Sequence, residues 1–237
     1  MTICIDYFYP EPSTLTSTIL EKLPNPYHSV AVIYSPFVQM PKGWVEKERV
    51  RQGSENPFID NKEISQYGKL VTWSEVKAKT GLTKDEQISV ALGTYYVGVY
   101  QSSVRQDLLA RLQYSIGKDI IYPYEDSLPI LLLPPFLAML QEVGCTKAYY
   151  SQLNLKRGTI DLNDYSDEEL VSLCEQPATL IGDNGALGLT CHFDSPFSLL
   201  FSTHASLEKW INHSSIEGFQ CDKKTKLTWD LEALGIK

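Results

Sequence analysis

No segment of this sequence is apolar for long enough to cross a membrane. The richest stretch, Leu128–Leu140, is interrupted by Pro129, Pro134 and Pro135 and falls short of the roughly 20 residues a span needs. The first ten residues carry no basic cluster, and Asp6, Pro10, Glu11 and Pro12 break any apolar run, so no signal or transit peptide is expected. Cysteine is sparse and odd in number: Cys4, Cys145, Cys174, Cys191 and Cys221 are widely spaced and form no C-x-x-C pair. With no export signal, reduced thiols and a cytoplasmic location are the expectation. His28, His192, His204 and His213 make no H-x-x-x-H or H-E-x-x-H pattern, so no metal site is expected. Rossmann and Walker fingerprints are missing too. Gly182, Gly185 and Gly188 are followed by neither a lysine nor a helix start, and no cofactor is expected.

Positive charge is in deficit, with 21 Lys+Arg against 29 Asp+Glu for a net charge of −8. A binder of nucleic-acid backbones needs a clustered basic face, so nucleic acid is a poor expectation. What is present describes a globular protein: 237 residues, 43% hydrophobic, with 4 Trp, 8 Phe and 14 Tyr to fill a core. That length forms one large domain or two small ones.

Periodicity divides the chain. Thr14–Leu23 has apolar residues at helical spacing and ends at Pro24, and Val30–Tyr34 is a β-branched run suited to a buried strand. Pro41–Gly68 shows no sustained period and reads as a surface excursion in which Trp44 and Phe58 either anchor a partner or fold back on the core. Three S/T-x-x-E/Q boxes then announce helices, at Thr72–Glu75, Thr83–Glu86 and Ser103–Gln106, with Gly81 and Gly117 as stops. Leu128–Val143 reads as helical turns broken at Pro134-Pro135 and ended by Gly144.

Beyond Cys145 short strands dominate: Ala148–Leu153, Ala178–Ile181, Leu187–Phe193, Phe197–Phe201 and one near Phe219–Cys221. Asp183-Asn184-Gly185 predicts a tight hairpin between the second and third of these. Ser166-x-x-Glu169 predicts a helix to Cys174, and Ser202/Thr203 another through Ile211. The order implies an α+β fold, helix-rich over 1–144 with a mainly antiparallel sheet over 145–237, as a single two-lobed domain.

Two sets of residues are candidates for function. His192 and Asp194 share one face of a predicted strand near Ser195, Ser198, Ser202 and His204, so a hydrolase-like Ser/His/Asp grouping is conceivable, although no G-x-S-x-G elbow accompanies it. Cys191, the neighbour of His192, faces the other way and reads as a structural thiol. The second set is electrostatic. No Lys or Arg occurs from Gly158 to Glu208, while Asp161, Asp164, Asp167, Glu168, Glu169, Glu175, Asp183, Asp194 and Glu208 are acidic. Such a surface attracts a basic protein partner, unless Lys147, Lys156, Arg157 or the basic run Lys42–Arg51 balances it in three dimensions. Binding is the preferred reading and catalysis by His192, Asp194 and Ser195 the alternative.

The run Ser35-Pro36-Phe37-Val38-Gln39-Met40-Pro41-Lys42-Gly43, the segment Val71-Thr72-Trp73, the run Phe193-Asp194-Ser195-Pro196-Phe197, the closing Glu217-Gly218-Phe219-Gln220-Cys221 and Trp229 together resemble a bacterial family of uncharacterised proteins, a domain of unknown function. The resemblance implies a cytosolic bacterial protein and carries over no active-site residue, cofactor or substrate. The order hairpin, strand, helix, closing strand is also similar to small α+β immunity-type or inhibitor-like proteins, which are acidic binders.

Overall fold

The computed structural model describes residues 18–54, 57–96, 104–191, 195–211 and 215–226. These divide into two compact units, one comprising 18–35 and 124–226 and the other 36–123. The second unit is inserted into the first immediately after its first strand, and Gly144, where the sequence turns from helix to sheet, lies inside the first unit.

The chain opens with helix α1 (Ile19–Lys22), whose capping residue Thr18 exchanges bonds with Glu21. Strand β1 (Ser29–Tyr34) follows and is buried at all six positions, as an unbroken apolar run in a central strand should be.

In the inserted unit, strand β2 (Phe37–Gln39) leads to two helices, α2 (Trp44–Gln52) and α3 (Asn61–Tyr67), where the sequence reading expected an irregular excursion. The reason is that the cap of α2 is tertiary. Gly43 takes φ 79°, and the Gly43 and Val45 N–H groups donate to the Asp119 carboxylate at 2.9 and 3.3 Å, from 76 and 74 residues away. Helix α3 starts at Asp60, which accepts the Lys62 N–H at 2.7 Å. Strand β3 (Lys69–Val71) then precedes α4 (Trp73–Thr80), which has the expected Thr72/Glu75 box and the glycine stop at Gly81, φ 67°. Helix α5 (Asp85–Tyr95) begins one residue later than its sequence box implies. Gln87, and not Glu86, reaches back to the N–H groups of Thr83 and Lys84 at 2.8 and 3.3 Å.

Helix α6 (Gln106–Ile116) starts after Arg105 without a side-chain cap, and Ser103, the expected cap, lies outside the described residues. Its buried stripe Leu108, Leu109, Leu112 and Ile116 packs against α5, as the spacing predicts. Arg111 donates to the Thr80 carbonyl at 2.9 Å and so ties α6 to the end of α4. Strand β4 (Ile120–Ile121) completes a three-stranded antiparallel sheet in the order β3-β2-β4.

Back in the first unit, a 3-10 turn at Ile130–Leu132 runs into α7 (Leu133–Glu142). Pro134 and Pro135 do not break this helix. They occupy its first turn, where backbone N–H groups have no intrahelical acceptor to lose. The remaining elements are strands β5 (Lys147–Gln152) and β6 (Arg157–Asp161), helix α8 (Asp167–Leu173), and strands β7 (Ala178–Gly182), β8 (Leu187–Cys191), β9 (Phe197–Ser202) and β10 (Gly218–Gln220). They form a seven-stranded antiparallel sheet with β1, in the order β10-β1-β9-β8-β7-β5-β6. The fold class is α+β.

Alternation puts Gln152, Ala178 and Gly182 on one sheet face. Helix α8 is held there by the Gln152 amide donating to the Ser172 carbonyl at 2.9 Å. A Cβ on Gly182 would stand 3.1 Å from the Leu140 side chain, so α7 covers the same face. The helix expected through Ile211 is absent. Residues after β9 form bends and turns because the Ser202 hydroxyl is committed elsewhere, donating to the Ala186 carbonyl at 2.8 Å and accepting the His204 N–H at 2.9 Å.

Two stability predictions follow from this architecture. Asp119→Ala leaves the start of α2 uncapped and should cost about 1 kcal/mol, read as a lower Tm with faster amide exchange in the first turn of α2. Gly218→Ala would place a Cβ 2.1 Å from the Val32 carbonyl oxygen, backbone against backbone. Strand β10 must then part from β1, and thermal or denaturant unfolding should report a loss of roughly 1–3 kcal/mol.

Candidate functional site

His192 and Asp194 lie outside the described residues, which resume at Ser195. What surrounds them can be described from both sides. Cys191 ends β8 opposite Ser198 of β9, fully buried, with its thiol 3.9 Å from the Ala178 carbonyl. Burial pushes this thiol up to about 12, so it stays protonated at neutral pH. Burial raises the other described thiols as well: Cys221 reaches about 12, Cys174 is pushed higher still, and Cys145 rises in spite of opposing backbone hydrogen bonds. An activated thiolate needs a neighbouring cation or an exposed helix start, and none of these environments lowers a pKa.

Ser195 is 5% exposed, and its hydroxyl has no hydrogen-bond partner among the described residues. The same holds for Ser198. Ser202 and the His204 backbone are used in the turn after β9. The described residues therefore do not assemble a nucleophile and base around Ser195.

The glycine-rich segment is a hairpin, as its sequence predicts. Gly185 donates to the Gly182 carbonyl at 2.8 Å with φ 70°, while Asn184 keeps a negative φ and uses its side chain instead, donating to the Val143 carbonyl at 2.8 Å. Asp183 is partly desolvated, but hydrogen bonds from the Thr146 hydroxyl at 2.8 Å and the Thr146 and Lys147 N–H groups hold its carboxyl below the usual range. This acid is structural and belongs to the join between β5 and the hairpin.

Five of the other acids gather where β6 passes into α8. Ser166 caps α8 by accepting the Glu169 N–H at 3.3 Å, and the Glu169 carboxylate accepts the Ser166 N–H and hydroxyl at 2.8 and 3.0 Å. Asp167 and Glu168 fill the rest of the first turn, where the helix dipole favours negative charge. Asp161 receives the Asn163 N–H at 2.9 Å in the preceding turn. Asp161, Asp164, Asp167, Glu168 and Glu169 are all exposed. Among the described residues none of these five carboxylates has a cation within ion-pair distance. Lys147 stands across from Asp161 in the β5–β6 register without closing a pair. The Lys156 ammonium donates to the Ser172 hydroxyl at 2.8 Å. On α2, Arg49 pairs with Glu46 and Arg51 with Glu48, so much of that helix's basic charge is matched locally.

Beside these acids, between α8 and the β5–β6 hairpin, lies a pocket of about 220 Å³. Tyr150, Lys156, Ile160, Glu168, Glu169 and Ser172 contribute to its wall. Neither the pocket nor β6 was anticipated. The signal available was only the short alternation of Arg157-Gly158-Thr159-Ile160-Asp161, with a glycine at its second position. Of the two aromatic anchors, Trp44 folds back against Tyr67 with ring centroids 4.8 Å apart, whereas Phe58 stays 62% exposed, its backbone clamped at both ends by the Gln52 amide. Among the described residues no cluster of three or more His, Cys, Asp or Glu side chains is arranged to hold a metal, and no helix is long and apolar enough to cross a membrane.

The chain is similar to the uncharacterised protein YwbB of Bacillus subtilis (strain 168), 26% identical over 214 residues that span 90% of this chain and 95% of that protein. No solved structure matches it significantly. A family model, described as Protein of unknown function (DUF2711), matches residues 16–231, and the chain belongs to that family.

Proposed function

We propose that this protein works by binding, and that the exposed acids from Asp161 to Glu169 form the surface that meets a basic protein partner. The observation that carries this reading is the state of those carboxylates, which are solvent-exposed and free of ion pairs among the described residues. Balanced surfaces interleave charges of both signs. Here a stretch without Lys or Arg from Gly158 to Glu208 includes five acids, on a strand end, the loop after it and a capped helix turn. Fixed charges of one sign steer a partner of the other sign and raise its encounter rate, an effect that salt screens over about 8–10 Å. The hydrolytic alternative gains nothing among the described residues from Ser195, whose hydroxyl is buried with no hydrogen-bond partner there, or from Cys191, whose thiol is held protonated.

The test is titration calorimetry with poly-L-arginine as the basic probe, at low salt and at about 0.15 M salt. Neutralising Asp161, Asp164, Asp167 and Glu168 together, by Asp→Asn and Glu→Gln, should weaken binding at least about tenfold and flatten its salt dependence. Neutralising Glu63, Glu86, Glu142 and Glu208 changes net charge equally and should leave most of the affinity in place. Equal losses from the two sets would reduce the attraction to net charge and sink the proposal.

A further inference from the structure

We propose that the partner docks as an added β-strand: an extended basic segment pairs with the free edge of β6 and places one lysine or arginine side chain in the pocket beside α8. This rests on the acidic-surface reading and goes further, because it assigns the backbone that receives the partner.

Among the described residues strand β6 is the last in its sheet and pairs only with β5. Which of its backbone groups face outward follows from two bonds. The Gln152 N–H donates to the Lys156 carbonyl at 2.9 Å, and the Leu162 N–H to the Thr146 carbonyl at 2.9 Å. In an antiparallel ladder hydrogen-bonded positions alternate, so Gly158 and Ile160 turn their N–H and C=O groups toward β5. Arg157, Thr159 and Asp161 turn theirs away. The Asp161 carbonyl accepts the Asp164 N–H at 3.3 Å, while the N–H and C=O of Thr159 have no partner among the described residues.

Exposed edges normally carry a device against pairing, such as a bulge, a proline or an interior lysine. Strand β6 has no bulge, proline or interior lysine: its five residues pair with β5 in unbroken register, its charges Arg157 and Asp161 stand at the two ends, and its interior is Gly158-Thr159-Ile160. The pocket borders this strand, with Thr159 and Ile160 in its wall and Glu168 and Glu169 on the α8 side. Gly158 keeps that wall in place. A Cβ there would lie 2.4 Å from the Tyr150 hydroxyl oxygen, so any other residue would push the tyrosine ring out of its position.

Size and charge select the occupant. At about 220 Å³ the pocket is smaller than the roughly 300–1,000 Å³ of small-molecule sites and suits a single long side chain. Glu168 and Glu169 against the single Lys156 leave the lining residues with a net negative charge, which favours a cation. Strand addition supplies affinity through main-chain bonds and specificity through pockets for alternate side chains, and the edge and the pocket provide those two parts.

The probe is an acetylated peptide of about eight residues alternating arginine and threonine, in plain and backbone N-methylated forms, long enough to pair along a strand of this length. We expect the plain peptide to bind, the N-methylated peptide to bind at least tenfold more weakly, and the Thr159 amide to become protected from exchange in the complex. Thr159→Pro removes an outward N–H and no bond to β5, so it should keep the fold while losing at least tenfold in affinity. Should that variant unfold, the N-methylated peptide and the Thr159 exchange decide instead. If neutralising the four carboxylates weakens binding but N-methylation and Thr159→Pro do not, strand addition is wrong and the acidic-surface reading survives. No binding by the plain peptide overturns both. A probe-free dimer abolished by Thr159→Pro would identify the occupant of the edge as a second copy of this chain, and so overturn the proposal.

Discussion

The structure of the first unit depends on the pairing of β1 with β9. Six consecutive residue pairs, from Ser29–Ser202 to Tyr34–Phe197, join positions separated by the whole inserted unit and most of the remaining sheet. Both strands are buried at every position, so neither has a face left to satisfy in solvent. Closing so long a loop costs entropy that grows only slowly with length, and fully buried apolar strands offset it by withdrawing side chains such as Val30, Val32, Leu199 and Phe201 from water. The pair also carries β10 on one side and β8 on the other, which makes the sheet a consequence of this one long-range contact.

From that pair toward β6, the strands lose burial. Strands β7 and β8 are still buried throughout, β5 is exposed at one end, and β6 alternates between solvent and core. The acids, the pocket and the unpaired Thr159 backbone all lie at this last edge, where burial no longer dictates side-chain type. A surface can collect uncompensated charge there without penalising the core, because exposed carboxylates keep their hydration.

How much of this was legible in the sequence follows the range of the interaction responsible. Strands β1, β7, β8 and β9 announce themselves as apolar runs, and α4 and α8 by cap residues three positions apart in the chain. Helix α2 is silent because its cap is Asp119, far along the sequence. Pro134 and Pro135 mislead because a proline pair breaks a helix interior but suits its first turn, and only the end of the preceding 3-10 turn decides which applies. Ser202 has the chemistry of a helix cap and uses it on the Ala186 carbonyl, in the hairpin turn before β8. For the site, the acids were visible as composition and Ser195 as a hydroxyl near a histidine. The pocket was not, since it needs β6 to be an edge and Tyr150 to lie over Gly158.

The acidic segment invites a purely structural explanation, and that explanation covers only part of it. Glu169 closes the α8 capping box, Asp161 ties a turn, and Asp167 and Glu168 gain from the helix dipole about 0.3–1 kcal/mol each. None of these roles requires that lysine and arginine be missing from the next three strands, and Asp164 has no side-chain bond among the described residues that would account for it. A helix start needs acids in its first turn. It does not need every neighbouring cation withheld: Lys147 stands across from Asp161 without closing an ion pair, and Lys156 is held by a serine hydroxyl and not by a carboxylate. The local charges stabilise α8, and the lack of compensation around them among the described residues is a feature that a helix cap does not require and that the proposed binding surface would use.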